Sequence, residues 1–173
     1  MKFLENDTLI LRAVEPSDSD FLFEIENDSS QWRDNGMMAP YSMRNVKEYA
    51  ENYDADPIRS GQLRMVAQLK DSKEMVGIAD LYEINALGRT AFTGIYILNK
   101  FRNRGHAEQI LRLLESYASQ LLNLRVIGAK ISERNSTSIG LFERSGYQRV
   151  GLMTDWLLSG KETSGLAIYI KPL

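Results

Sequence analysis

Within eight residues, the run Lys100-Phe101-Arg102-Asn103-Arg104-Gly105-His106-Ala107 gathers three permanent cations, a histidine and a glycine. Residues of these types can hold an anion. If a helix opens here, its unpaired backbone N–H groups and the positive end of its dipole attract negative charge. Gly105 lets the backbone approach a ligand without a Cβ, and Arg102 and Arg104 add diffuse positive charge. A pyrophosphate suits such a cradle. The same residues would also serve as a basic surface loop capping an ordinary helix.

The flanking elements decide whether the loop is placed for that role. Before it, Thr90 to Leu98 is rich in branched and aromatic residues, which suit a buried strand. After it, Ala107, Ile110, Leu111, Leu114, Ala118 and Leu121 recur at helical spacing, with Glu108 and Arg112 one turn apart on the wet face. The loop therefore opens a helix. It contains neither G-x-G-x-x-G nor the G-K-[ST] ending of a P-loop. A second segment follows the same plan. Arg125 to Ser132 reads as a strand and leads into Glu133-Arg134-Asn135-Ser136-Thr137-Ser138-Ile139-Gly140-Leu141-Phe142-Glu143-Arg144-Ser145-Gly146-Tyr147. Asn135 and Ser136 are helix-capping types, and Gly146 stands where a short helix must stop. Turn chemistry explains these three as well as ligand contact does.

Composition removes several kinds of chemistry. The chain of 173 residues carries 23 acids and 21 Lys and Arg, so no basic excess signals nucleic acid. Cysteine is absent, which excludes disulfides, thiolate metal sites and a cysteine nucleophile. The single histidine, His106, leaves no His-rich metal cluster, and no nucleophile-elbow motif accompanies it. No metal is expected. No apolar stretch is long enough to span a bilayer, and acids stand near the start where a signal peptide would be apolar. The expectation is a cytoplasmic protein without membrane contact, one domain over 1–173, with homo-oligomerisation left open.

Elsewhere, Thr8 to Val14 alternates as a strand, and Pro16-Ser17-Asp18 turns into a helix through Asn27 that faces Phe21, Leu22 and Ile25 inward. Asp28 to Pro40 reads as a long ordered loop or short irregular helix, followed by a helix from Met43 to Tyr53. Gln62 to Lys70 and Met75 to Ile84 make an antiparallel meander with the strand at Thr90. Tyr147 to Leu158 and Thr163 to Lys171 form a closing hairpin around Ser159-Gly160-Lys161. The pattern is α+β with one central sheet.

Arg102-Asn103-Arg104-Gly105-His106-Ala107 matches Arg/Gln-x-x-Gly-x-Gly/Ala, and the segment from Asn135 to Tyr147 resembles Asn-x-x-Ser/Ala…aromatic-Glu-Lys/Arg-x-Gly-Phe/Tyr. Both motifs, in this order and each after a strand, resemble the GNAT family of N-acetyltransferases. The resemblance spans nearly the whole chain. It implies a mixed, mostly antiparallel twisted sheet of about seven strands with helices on both faces, and acetyl-CoA as co-substrate. It also implies direct acetyl transfer to an amine, without an acyl-enzyme. Its cofactor set would be Ile95, Tyr96, Ile97, Leu98, Arg102, Asn103, Arg104, Gly105, His106, Ala107, Asn135, Phe142 and Arg144. The segment from Asp80 to Asn85 and the closing hairpin look most like the polyamine N-acetyltransferases and their ribosomal-protein N-terminal relatives.

For acid–base work, Glu83 is the leading carboxylate, at a strand end beside the cofactor strand; an ordinary exposed glutamate reads the same way. Many relatives carry glutamate where this chain has Phe92 and tyrosine where it has Phe142; neither phenylalanine moves a proton. Tyr147, Tyr96 or water are alternatives for the missing acid. Glu83 and Asp34 would meet the substrate, Asp34 belonging to an acidic stretch from Glu15 that either attracts a cationic amine or forms a solvated face. Three functions remain open at this level: acetylation of a small amine such as a polyamine, acetylation of a protein N-terminus, and a non-catalytic CoA-binding sensor or interaction module.

Overall fold

The computed structural model describes residues 3–29, 32, 39–159 and 162–173. Strand β1 (Leu9–Ala13) leads through a 3-10 turn at Pro16–Asp18 into α1 (Ser19–Glu26). Then come α2 (Met43–Glu51), α3 (Pro57–Ser60), β2 (Leu63–Leu69), β3 (Met75–Asn85) and β4 (Thr90–Ile97). A second 3-10 turn at Asn99–Phe101 precedes α4 (His106–Gln120), followed by β5 (Val126–Ser132), α5 (Ser136–Arg144), β6 (Gln148–Ser159) and β7 (Glu162–Pro172). The strands form one seven-stranded sheet in the order β1-β2-β3-β4-β5-β7-β6.

Three readings of the sequence need correction. The helix read as Met43 to Tyr53 ends at Glu51, where the Asn52 backbone N–H still reaches the Glu48 carbonyl and the chain then leaves helical geometry. Leu121, read as part of the buried stripe, is 57% exposed because α4 stops at Gln120. The short α3 was not anticipated, although its signals are local. The Asp56 carboxylate accepts from the N–H groups of Ile58 and Arg59, Pro57 occupies the first turn, and Gly61 closes it at φ +70°. Of the segment read as Asp28 to Pro40, most lies outside the described residues, as do Gly160 and Lys161 of the hairpin turn.

The chain divides into two compact units. The first comprises Met1–Val14, Asp54–Ala129 and Ile170–Leu173. Here β1 to β4 pair antiparallel, with Leu11 opposite Ala67, Ala79 opposite both Met65 and Ile95, and Gly77 opposite Ile97. One face of α4 buries Ile110, Leu111, Leu114 and Ala118 of the expected stripe together with Leu113 and Tyr117, which were not in it, while Ala107 is half-buried. Each such Leu or Ile contributes about 1.5–3 kcal/mol by leaving water. At the far end of α4, Glu115 accepts a hydrogen bond from the Lys171 Nζ at 2.7 Å and so ties down the last strand.

The second unit comprises Glu15–Tyr53 and Lys130–Tyr169. α1 buries Phe21, Leu22 and Ile25, as expected, and packs on α2, which buries Val46 and Ala50. Asn27 joins the two segments: its side chain accepts from the Tyr41 N–H at 2.9 Å and donates to the Tyr41 carbonyl at 3.2 Å. Around α5, Phe142, Tyr147 and Tyr169 are buried, and the Tyr169 hydroxyl donates to Glu143 at 3.2 Å.

In the first unit, β3 approaches β4 so closely at Gly77 that a Cβ there would lie 1.9 Å from the Tyr96 carbonyl oxygen. Backbone cannot swing aside as a side chain can. Gly77→Ala is expected to lower unfolding stability by about 1–3 kcal/mol or more, measured by urea denaturation. A stability equal to that of the unsubstituted chain would show that the two strands part without cost.

Candidate functional site

The proposed anion loop lies wholly within the first unit, directly after β4. Phe101, 5% exposed, anchors it by inserting into the core. Around that ring stand three side chains of positive or titratable character. The Lys100 Nζ lies 4.7 Å and the Arg104 guanidinium carbon 6.0 Å from its centroid, and the His106 ring meets it edge-on at 6.1 Å. Lys100 also reaches Glu74 at 3.2 Å. Arg102 is committed at one edge: its Nε donates to the Ile97 carbonyl at 2.9 Å, and its guanidinium sits 5.6 Å from the Tyr96 ring centroid. That leaves its terminal nitrogens as the part able to meet a ligand.

Gly105 is the N-cap of α4 at φ +77°, ψ +2°, and no side chain caps the helix. The first intrahelical bond runs from the Gln109 N–H to the Gly105 carbonyl, so the N–H groups at the head of the helix have no partner within it. A Cβ at position 105 would meet nothing within 4 Å, so in the free protein glycine is required by the left-handed backbone rather than by crowding. Asn103 adopts the same region at φ +59°, which its short polar side chain tolerates. His106 is half-buried, and its Nδ1 is buried without a hydrogen-bond partner. Burial, and secondarily the charge of Arg104, push its pKa below the ordinary value.

Strand β4 runs away from this loop. Its parallel register with β5 covers Thr90, Ala91 and Phe92, whereas its pairing with β3 continues to Ile97. Ile95 and Tyr96 are half-buried, and Ile97 and Leu98 are each 8% exposed. Phe92 stacks on Tyr82 across the strands at 5.9 Å. Glu83 follows Tyr82 at a slip in the β3–β4 register, exposed and with φ +51°, an uncommon backbone for a residue that is not glycine. A bulge here re-aims a side chain at a sheet position that regular alternation would have set otherwise. By register, the Glu83 end of β4 is separated from the loop end by five residues, or about 17 Å. Next to it, the Arg64 guanidinium grips Asp80 with two bonds at 2.8 and 2.9 Å, a cross-strand pairing that local sequence could not disclose.

The remaining candidate residues lie in the second unit. Asn135 caps α5, its side chain accepting from the Ser138 N–H at 3.0 Å, and Gly146 stands at φ +90° just after that helix. The turn chemistry of both is thus real. Phe142 and Tyr147 are each 3% exposed and meet edge to face at 4.9 Å, so both are core residues of this unit. The Arg144 guanidinium folds back over Gly140, where a Cβ would come within 2.9 Å of it. Asp34 lies outside the described residues. Among the described residues no three His, Asp or Glu side chains converge as a metal site, and no helix is long and apolar enough to cross a membrane.

Comparison with known proteins decides the family. The family described as acetyltransferase (GNAT) domain matches residues 8–148. This chain belongs to the GNAT acetyltransferases. It is an enzyme of the transferase class, and the expected central seven-stranded, mostly antiparallel sheet with helices is borne out. The chain is 26% identical over 169 residues to the spermidine N(1)-acetyltransferase of Vibrio cholerae serotype O1, covering 95% of this chain and 94% of that one. The structure of spermidine N-acetyltransferase from Vibrio cholerae in complex with CoA and spermine matches with a TM-score of 0.84 at 23% identity, over 96% of both chains. RimL, a ribosomal L7/L12 alpha-N-protein acetyltransferase in complex with coenzyme A, matches with a TM-score of 0.85 at 17% identity, covering 97% of this chain and 96% of that one. At these identities the two structures attest the GNAT fold.

Because the space beside Gly105 is open and only its φ is unusual, Gly105→Ala should cost about 1–2 kcal/mol in unfolding stability, and Gly105→Asn less. Thermal denaturation of the two variants checks the order. A loss for alanine far above that range would mean that something packs against the site after all.

Proposed function

We propose that the chain, acting as one acetyltransferase domain over 1–173, transfers the acetyl group of acetyl-CoA directly to a primary amine of the polyamine class. The observation that carries the cofactor part is the uncapped head of α4 behind Gly105, flanked by Arg102 and Arg104 and placed at the end of β4. Backbone N–H groups of Gly105 to Ala107 would hold the diphosphate, joined by the arginine side chains and Asn103. From there the pantetheine arm would follow β4 along Ile95 to Leu98 and beyond, by strand-like pairing with the backbone. The run of about 17 Å toward Glu83 suits an extended arm that ends in the reactive thioester.

An amine must be neutral to attack. Removing a proton from a lysine-like ammonium near pH 7 costs roughly 4–5 kcal/mol. Glu83, turned outward by the bulge, is the carboxylate we assign to hold the ammonium and take its proton, directly or through water. The departing thiol, with an ordinary pKa near ~8.5, tolerates the lack of a dedicated acid at Phe92 or Phe142. The polyamine class is supported by the similarity to the Vibrio cholerae spermidine enzyme.

The test is calorimetric titration with acetyl-CoA, followed by thiol-release assays with spermidine, spermine and short peptides. Saturable acetyl-CoA binding and turnover on the polyamines are expected. Folded protein that fails to bind acetyl-CoA would sink the reading, and turnover only on peptides would replace its acceptor with a protein N-terminus. Arg102→Ala should weaken acetyl-CoA binding by about 1–3 kcal/mol. Glu83→Gln should lower kcat while leaving acetyl-CoA affinity unchanged, because it lies at the other end of β4.

A further inference from the structure

His106 occupies the first position of α4 with Gly105 as its cap, in the loop to which the preceding reading assigns the diphosphate. Its Nδ1 is buried and has no partner, and its ring is fixed edge-on to the buried Phe101. A buried nitrogen without a partner is costly in either protonation state, and it marks a group whose surroundings are incomplete in the free protein. We propose that His106 binds the cofactor's diphosphate as an imidazolium, taking up one proton from solvent as the anion enters the cradle. The proposal rests on the acetyl-CoA reading of this loop and goes beyond it, since the backbone amides and arginines could hold the anion with no proton exchanged.

The physical reason lies in the sign of the local field. In the free protein burial and the charge of Arg104 disfavour a further positive charge on the ring. Burial removes water, Arg104 repels, and the helix dipole presents its positive end. Arg102 and Lys100 stand in the same loop, Lys100 held by Glu74 from the β2–β3 turn. Glu108, in the first turn of α4, is engaged with Arg112. Packed against that turn are residues 6–8, which meet it through neutral bonds from Asn6 and Thr8 to Gln109 and bring Asp7 as their one ionisable group. A diphosphate set on the helix head reverses the field. It neutralises Arg104 and the dipole, and its oxygens accept from the protonated ring, so the imidazolium becomes the favoured form.

The direction of the linkage follows. The imidazole titrates below its ordinary value in the free protein and higher in the complex. The gain in affinity is therefore complete below the free midpoint and lost as pH rises through the bound midpoint. Each unit by which the midpoint rises makes binding about tenfold tighter at low pH.

Because His106 is the single histidine of these 173 residues, its imidazole resonance can be followed by NMR in this chain without assignment ambiguity. The titration midpoint would be measured free and saturated with 3′-dephospho-CoA, which keeps the diphosphate and lacks the 3′-phosphate that itself titrates near neutrality. Titration calorimetry with the same ligand, in two buffers of different ionisation enthalpy, counts the protons taken up. We expect the midpoint to rise by about one unit or more, uptake approaching one proton between the two midpoints, and loss of that uptake in His106→Gln or, should that variant not fold, His106→Asn. A bound midpoint equal to or below the free one, or equal uptake in wild type and variant, would overturn the proposal while leaving cofactor binding intact. Absence of binding altogether would instead overturn the reading of the loop.

Discussion

The N–H groups at the head of α4 must find an acceptor, and no side chain caps them. Much of the first unit is arranged around that constraint. Gly105 takes a left-handed backbone to start the helix, Phe101 pins the preceding turn into the core, and Arg102 spends its Nε on the Ile97 carbonyl to hold the loop against the end of β4. The stripe of Ile110, Leu111, Leu114 and Ala118 then fixes the helix axis by burial against the sheet. Water can satisfy the amides in the free protein. An anion, as proposed, would satisfy them better because it would also meet the dipole and the two arginines.

The second constraint belongs to β4. A strand paired on one side to Ile97 but on the other only to Phe92 has backbone to offer along its later residues, and that stretch leads from the loop toward Glu83. The β3 bulge gives that glutamate an exposed setting beside the stacked Tyr82 and Phe92 rings. Direct transfer, as proposed, would need little from side chains: an amine freed of its proton, a held thioester, and a leaving group that departs readily. The proposed site is built mostly from backbone, and the phenylalanines Phe92 and Phe142 bring it no proton donor.

In the second unit, packing accounts for several of the motif residues. Asn135 and Gly146 have visible duties in capping and stopping α5, and Phe142 and Tyr147 are buried against each other. A motif of this kind keeps its residues for a stable strand–helix–strand turn whether or not a ligand is present.

The amino-acid sequence determined the elements whose signals are local: most of the periodic stripe of α4, the glycine and arginines before it, the Asn135 cap of α5, and the alternating first strand. Periodicity and capping act over one or two turns, so they are legible without a fold. The family followed from two short motifs in a fixed order, because both encode backbone geometry. Tertiary structure alone decided what depends on strand register and packing. Examples are the Arg64–Asp80 grip, the bulge that turns Glu83 outward, the close approach at Gly77, the exposure of Leu121 and the buried, partnerless Nδ1 of His106. Each of these arises where residues distant in the chain meet, or where an element ends. Their energies come from neighbours that no window of sequence contains.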